Sequence, residues 1–148
     1  MNLLDTDALS HLQKNDRVGA VILTRLAASP DTDFRITTVN AFEILGGAVD
    51  LIRELRRKHK DAVPGFKLLE ELLDYLGGWR GRIMPYDDAA DQVYRGLPPR
   101  LRQELGNDAR IGVIAVVLNA PVWTCNVDDY RRIPGLIVYA AETGKRVS

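Results

Sequence analysis

Two kinds of apolar segment alternate along the chain. Short apolar runs recur at residues 2–5 (NLLD), 33–38 (DFRITT), 82–86 (RIMPY), 121–125 (PVWTC) and 135–139 (GLIVY). Runs of this length, bounded by polar or turn residues, predict buried strands. The stretches between them carry helical spacing. Residues 7–14 predict a first helix capped by Asp7, and residues 16–29 (DRVGAVILTRLAAS) a second that stops at Ser29-Pro30, where the residue before proline is pushed out of the helical region. Residues 40–60 (NAFEILGGAVDLIRELRRKHK) predict a long helix with a charged distal end. Residues 64–79 continue helical, with Pro64 near the start and Gly77-Gly78 near the stop. Residues 87–97 predict a helix ended by Pro98-Pro99, residues 108–120 a strongly apolar helix, and VDDYRRI a helical turn.

Strands thus alternate with helices, which predicts an α/β fold: an α/β/α sandwich around a mostly parallel central sheet. The strands are continuous apolar runs, as expected where helices cover both faces. No repeat, low-complexity tract or linker interrupts the pattern, so residues 1–148 read as one domain. Ligands of such sheets sit beyond the carboxyl ends of the strands, which makes the acids just after each strand the residues of interest.

Those acids are Asp5 after the first strand, Glu43 early in the helix after the second, Asp108 opening the helix before the fourth, and Asp128 and Asp129 after the fourth, beside Asn126. Gathered at one sheet edge, they would repel one another unless protonated or bridged by a cation. Oxygen donors without a surplus of His or Cys suit Mg²⁺ or Mn²⁺, and such a cluster supports metal-assisted phosphodiester hydrolysis. Each acid has a plainer reading too. Asp5 or Asp7 fits a helix cap; Glu43, three residues after Asn40, fits a capping box; Asp108 fits a cap or a favourable charge at a helix start; Asp128 and Asp129 fit solvated turn residues.

Charge and composition narrow the picture. Twenty Lys and Arg balance twenty Asp and Glu, so no global field steers the chain toward nucleic acid and any such contact must be local. The dense basic stretch 53–60 (RELRRKHK) places Arg53, Arg56, Arg57 and Lys60 on one helical face, either a phosphate or partner surface or a solvated face. Arg100, Arg102 and Arg110 lie nearer Asp108 in sequence and are the preferred phosphate contacts. Trp79 and Trp123 are candidates for base stacking, though core packing suits both better. Val18, Val21, Ile22 and Leu26 form an apolar face for a dimer, a partner helix or the chain's own core. One cysteine, Cys125, permits no intrachain disulfide and fits a reducing, cytoplasmic setting. Two histidines and one cysteine argue against structural zinc. No apolar run approaches the roughly 18 residues of a membrane span, and no secretory leader is legible.

The segments LLDTDALS, TTVNAFEILGGA and GNDARIGVIAVVLNAPVWTCNVDDYRRIPGL resemble, in order, the PIN-domain ribonucleases, nearest the VapC-type toxins of toxin–antitoxin pairs. The resemblance covers essentially the whole chain and implies an α/β/α fold, Mg²⁺ or Mn²⁺ dependence, endonucleolytic cleavage of RNA, a homodimer, and inhibition by a cognate antitoxin. It implies that Asp5, Glu43 and Asp108 are the acidic residues and metal ligands. Asn126 stands where some members carry Asp, so Asp129, or else Asp128, is left to supply a fourth charge. Asp7 stands where the family usually has Asn; it adds an outer carboxylate or keeps a capping role. Thr6 and Thr124 are placed to hydrogen-bond the carboxylates or a phosphate. Two rivals remain. Asp5 and Asp7, with Thr37, Lys67 and Asp128-Asp129, resemble haloacid-dehalogenase-type phosphatases, where the first Asp is a nucleophile, but Ala8 stands where glycine is usual. The other rival is a degenerate PIN domain that only binds.

Overall fold

A computed structural model describes residues 1–148. Along the chain lie β1 (Asn2–Leu4), α1 (Thr6–Lys14), α2 (Arg17–Ala27), β2 (Phe34–Thr37), α3 (Thr38–Arg57), α4 (Val63–Gly77), β3 (Ile83–Met84), α5 (Asp88–Gly96), α6 (Pro99–Leu105), α7 (Asn107–Leu118), β4 (Val122–Thr124), α8 (Val127–Tyr130), β5 (Val138–Ala140) and β6 (Lys145–Arg146). The sheet order is β3-β2-β1-β4-β5-β6. Every pairing from β3 to β5 is parallel; only β6 runs antiparallel, against β5.

Alternation along the strands sorts side chains onto two faces. Leu3, Val122 and Val138 enter one core with Leu97, Leu101, Leu105, Ile111 and Val113 of the α5–α7 layer. Leu4, Phe34, Ile36 and Trp123 enter the other with Leu9, Ile22, Ile44 and Leu72 of the α1–α4 layer. The expected three-layer α/β/α architecture is therefore observed, with a mostly parallel central sheet. β1 lies between β2 and β4. The chain runs outward from β1 through β2 to β3, then crosses back through α5–α7 to β4 on the other side of β1, so the crevice at the carboxyl ends of β1 and β4 is the topological switch point where such sheets take ligands.

Several expectations shift. Asp5, not Asp7, caps α1: its side chain accepts from the Ala8 N–H at 2.8 Å. α3 starts at Thr38 and is capped by Thr37 with Asn40 as its capping-box partner, which removes Glu43 from that role. α6 lies where no helix was expected: Pro99 begins a helix rather than ending the previous region, because its missing N–H is one of the unpaired donors of a first turn. Residues 135–137 are not strand; β5 begins at Val138. β6 is an unexpected two-residue edge strand. On α2, Ile22 and Leu26 are buried in the chain's own core while Val21 is exposed. Trp123 is core, stacked on Tyr139 at 5.1 Å, and Trp79 is half-buried beneath Arg82. No helix is long and apolar enough to cross a membrane.

Candidate metal-dependent active site

The carboxyl end of β1 carries Asp5, which is 2% exposed. Its Oδ1 accepts from the Ala8 N–H, and its Oδ2 accepts from the Thr124 hydroxyl at 2.5 Å. Thr124 ends β4, so the bond exists because β1 and β4 are register neighbours. The same hydroxyl oxygen accepts from the Asn126 N–H at 2.7 Å. Burial pushes the Asp5 carboxyl up to about 7 against the lowering effect of these two donors, and the charges of Asp7 and Asp108 add to the rise.

Glu43 comes from the second turn of α3. Its Oε1 accepts from the Thr6 hydroxyl at 2.7 Å. Thr6 in turn accepts from Asn40 Nδ2 at 3.1 Å, and that amide also donates to the Leu4 carbonyl at 3.2 Å. The Asn40 Oδ1 accepts from both the N–H and the hydroxyl of Thr37 at 2.7 Å. One fully buried amide thus joins the end of β2, the exit of β1 and the helix that bears Glu43.

Asp108 lies in the first turn of α7. Gly106, at φ 55°, makes the turn from α6 that brings it there, a conformation glycine adopts without penalty. Asp108 is no cap: its Oδ1 accepts from the Tyr130 hydroxyl at 3.2 Å. Burial raises its carboxyl to about 6, opposed by that hydrogen bond and reinforced by Glu43, Asp7 and Asp129. Tyr130 is fully buried, and its phenol is held well above the ordinary range by burial and by the charges of Asp5 and Asp108. Sequence reasoning missed Tyr130. Its signal was present: a tyrosine in a polar helical turn, following directly after the Asp128-Asp129 pair.

After β4, Asn126 Nδ2 donates to Asp129 Oδ2 at 2.8 Å. Asp128 points away, its side chain 96% exposed. Asp7 is exposed on the first turn of α1. Asp7 and Asp108 thus lie near enough to raise the Asp5 carboxyl, and Glu43, Asp7 and Asp129 near enough to raise that of Asp108, while Asp128 stays outside.

No Lys, Arg or His nitrogen comes within 4.0 Å of Asp5, Asp7, Glu43 or Asp108. An uncompensated set of oxygen donors, two of them with raised carboxyl pKa, fits a hard divalent cation by its chemistry. As the side chains stand, no three His, Cys, Asp or Glu side chains close into a set able to hold an ion. The same absence of cations weakens the phosphatase reading. Lys67 is exposed on α4, and the Thr37 hydroxyl is engaged by Asn40.

Of the arginines, Arg100 is 88% exposed and paired with Glu104 at 2.7 Å. Arg102 and Arg110 converge on Tyr94, their guanidinium carbons 5.7 and 4.4 Å from its ring centre. Neither has a carboxylate within 4.0 Å, and Arg102 Nε is buried without a partner. At the end of α3, Arg57 and the capping residue Lys58 pair with Glu54, whereas Arg53 lines a groove of about 610 Å³ beside Glu43 and Asp50.

No known protein-family profile matches the chain, and no curated protein does. Solved structures do. A chain of FitAB, solved bound to an IR36 DNA fragment, superposes with a TM-score of 0.71 at 18% identity, covering 96% of both chains. A toxin–antitoxin complex from Klebsiella pneumoniae gives 0.63 at 21% identity over 95% of this chain and 98% of that one. VapBC2 from Rickettsia felis, solved bound to a DNA fragment from its promoter, gives 0.59 at 22% over 93% and 96%. The resemblance read from the sequence therefore extends to the three-dimensional structure, and the chain has the PIN-like fold found in these toxin–antitoxin complexes.

Proposed function

We propose that this chain is a divalent-metal-dependent endoribonuclease, the toxin of a toxin–antitoxin pair acting in the cytoplasm, held in check by a cognate antitoxin and active as a homodimer. The observation that carries the reading is the uncompensated carboxylate set at the switch point, centred on the buried Asp5 and on Asp108. The PIN-like fold it shares with chains of toxin–antitoxin complexes supports the assignment of partner.

In this reading Asp5, Asp108 and Glu43 hold Mg²⁺ or Mn²⁺. When bound, the ion supplies Lewis acidity, favouring deprotonation of water and offsetting charge on the leaving oxygen. The chain's own residues do the rest. Thr124 fixes one Asp5 oxygen and the Ala8 N–H the other, which holds the carboxylate in a single orientation. Thr6 holds Glu43 at the entry of α1, where it accepts a proton from an attacking water or holds the water in line. Tyr130 keeps Asp108 aimed at the same crevice. Asp129 supplies the fourth negative charge and Asn126 positions it. Asp7 adds an outer carboxylate. Arg102 and Arg110, unpaired with any carboxylate, receive the RNA phosphates; Arg100 is already held by Glu104.

The test is cleavage of single-stranded RNA by purified protein with Mg²⁺, Mn²⁺ or chelator, alongside Asp5→Asn and Asp108→Asn. Cleavage that needs the ion and disappears in both variants is expected. Cleavage retained by both variants, or indifferent to chelator, would overturn the assignment. Titration with Mn²⁺ separates the enzyme from a binding-only PIN domain, which would show no saturable site. Aspartyl-phosphate trapping on Asp5 would instead establish the phosphatase.

A further inference from the structure

The first turns of α3 and α7 border an open pocket of which the nuclease reading uses only Arg110. It has a volume of about 380 Å³ and is lined by Thr38, Val39, Phe42, Tyr86, Asn107 and Arg110. It shares Phe42 and Asn107 with the larger groove that contains Glu43. Phe42 immediately precedes Glu43, and Asn107 immediately precedes Asp108. The pocket therefore flanks the acid edge directly.

Phe42 is 70% exposed, the most exposed large apolar side chain of the protein. α3 buries Asn40, Ile44, Ala48 and Ile52, a regular four-residue series. Phe42 stands half a turn from that stripe, on the side that faces solvent. Leaving a phenylalanine in water forgoes most of the burial that stabilises aromatic residues elsewhere.

The rest of the lining is rigid and rich in donors. The Tyr86 hydroxyl donates to Asp91 at 2.9 Å, which fixes its ring. Its N–H donates to the Thr38 hydroxyl at 3.2 Å, and the Thr38 proton has no acceptor in the protein. Asn107 Oδ1 accepts from Arg110 at 3.5 Å, so its own N–H₂ is left to donate elsewhere. Arg110 is held over the rings of Tyr94 and Tyr86, at 4.4 and 6.0 Å. No carboxylate lines this pocket.

We infer that this pocket takes one unpaired nucleobase of the RNA, next to the cleaved phosphate, stacked on Phe42. The donors of Thr38 and Asn107 meet its acceptor edge, and Arg110 meets the adjoining phosphate. An exposed ring beside unpaired donors and a cation, with no acid between them, matches a base attached to a phosphate. This inference rests on the nuclease reading for the identity of the strand; Phe42 supplies its stacking surface, and the donors of Thr38 and Asn107 its contacts to the base edge. Single-stranded RNA is the form whose bases are free to stack this way.

The experiment walks 2-aminopurine through a short single-stranded RNA and titrates it with the protein in chelator, so that the strand stays intact. Wild type should quench one position. Phe42→Ala should weaken binding roughly 5- to 150-fold and abolish that quench, the range expected for loss of one stacked base. Phe42→Trp should bind within about twofold of wild type, since every aromatic face can stack. Arg110→Gln should lower the salt slope of binding by about one. Absence of quenching at every position, or Phe42→Ala binding RNA as wild type does, would overturn the inference. Parallel cleavage assays separate this from the parent reading. Site-specific quenching without metal-dependent cleavage would remove the nuclease and keep the pocket. Cleavage with an unchanged KM in Phe42→Ala and no quench would do the reverse.

Discussion

At the amino ends of β1 and β2, Asp31 takes the N-terminal ammonium at 2.5 Å and Asp33 takes Arg35 at 3.0 Å. Both carboxyls are held below their usual range by those cationic donors. At the opposite edge of the sheet, Asp5 at the end of β1 and Asp108 in the first turn of α7 have hydroxyl partners and no cation, and both are raised, mainly by burial. One end of the sheet has neutralised its acids with residues of its own. The other has kept them uncompensated while building supports that fix where they point. Acids paired locally serve the fold. Acids aimed and left unpaired leave room for a charge from outside.

That contrast can be broken most sharply at Asp5. Without metal, Asp5 is raised from 3.8 to about 7, so its contribution to stability is full below about pH 4 and is lost as pH rises toward 7. Asp5→Asn keeps an N-cap side chain and removes the charge. In chelator at pH 8 it should therefore stabilise the fold, by at most about 4 kcal/mol. The gain should vanish as the pH is lowered to about 4, read by denaturant melts across pH. A destabilised Asp5→Asn at pH 8 would show that the buried Asp5 charge is not what strains the metal-free fold. Asp108→Asn follows in size: cleavage should fall by more than about 100-fold, since even residues that merely support metal ligands cost 10- to 100-fold. Thr124→Val sits below it. Losing the hydroxyl that holds both Asp5 and the Asn126 N–H should weaken Mn²⁺ binding by roughly 10- to 100-fold, measured by calorimetry. Smallest is Asp31→Asn at the other end, which should leave metal binding and cleavage unchanged; a measurable loss of either would dissolve the distinction between the two ends.

Much of this was legible in the chain. Short apolar runs between helical stretches predict the α/β/α layers; the rule that sites lie beyond strand carboxyl ends offers Asp5, Glu43, Asp108, Asn126, Asp128 and Asp129 as candidates, and only the family resemblance narrows them to Asp5, Glu43 and Asp108. What was not legible depends on contacts between distant residues or on ambiguous local signals. Pro98-Pro99 reads equally as a stop and as a start, and only packing of Leu101 and Leu105 into the core decides for α6. β6 is two charged residues at an edge, with no apolar pattern to announce it. Asp5 and Asp7 compete as caps on equal chemistry, and the strand's exit direction settles it. Tyr130 and Phe42 are ordinary letters in the sequence. Burial makes one a support for Asp108, and its absence makes the other a free stacking surface.

Asn40 gives these arrangements a common datum. Its single amide accepts from Thr37 and donates to Leu4 and Thr6, so sliding α3 along the sheet by a fraction of a turn would not tilt Glu43 gradually but would break the whole set together. This part of the edge should then behave as all-or-none, with Glu43 either in register on Thr6 or released from it. Hydrogen exchange offers a signature, because the backbone amides of Thr37 and Asn40, both bonded within that set, should open in one step with a shared protection factor.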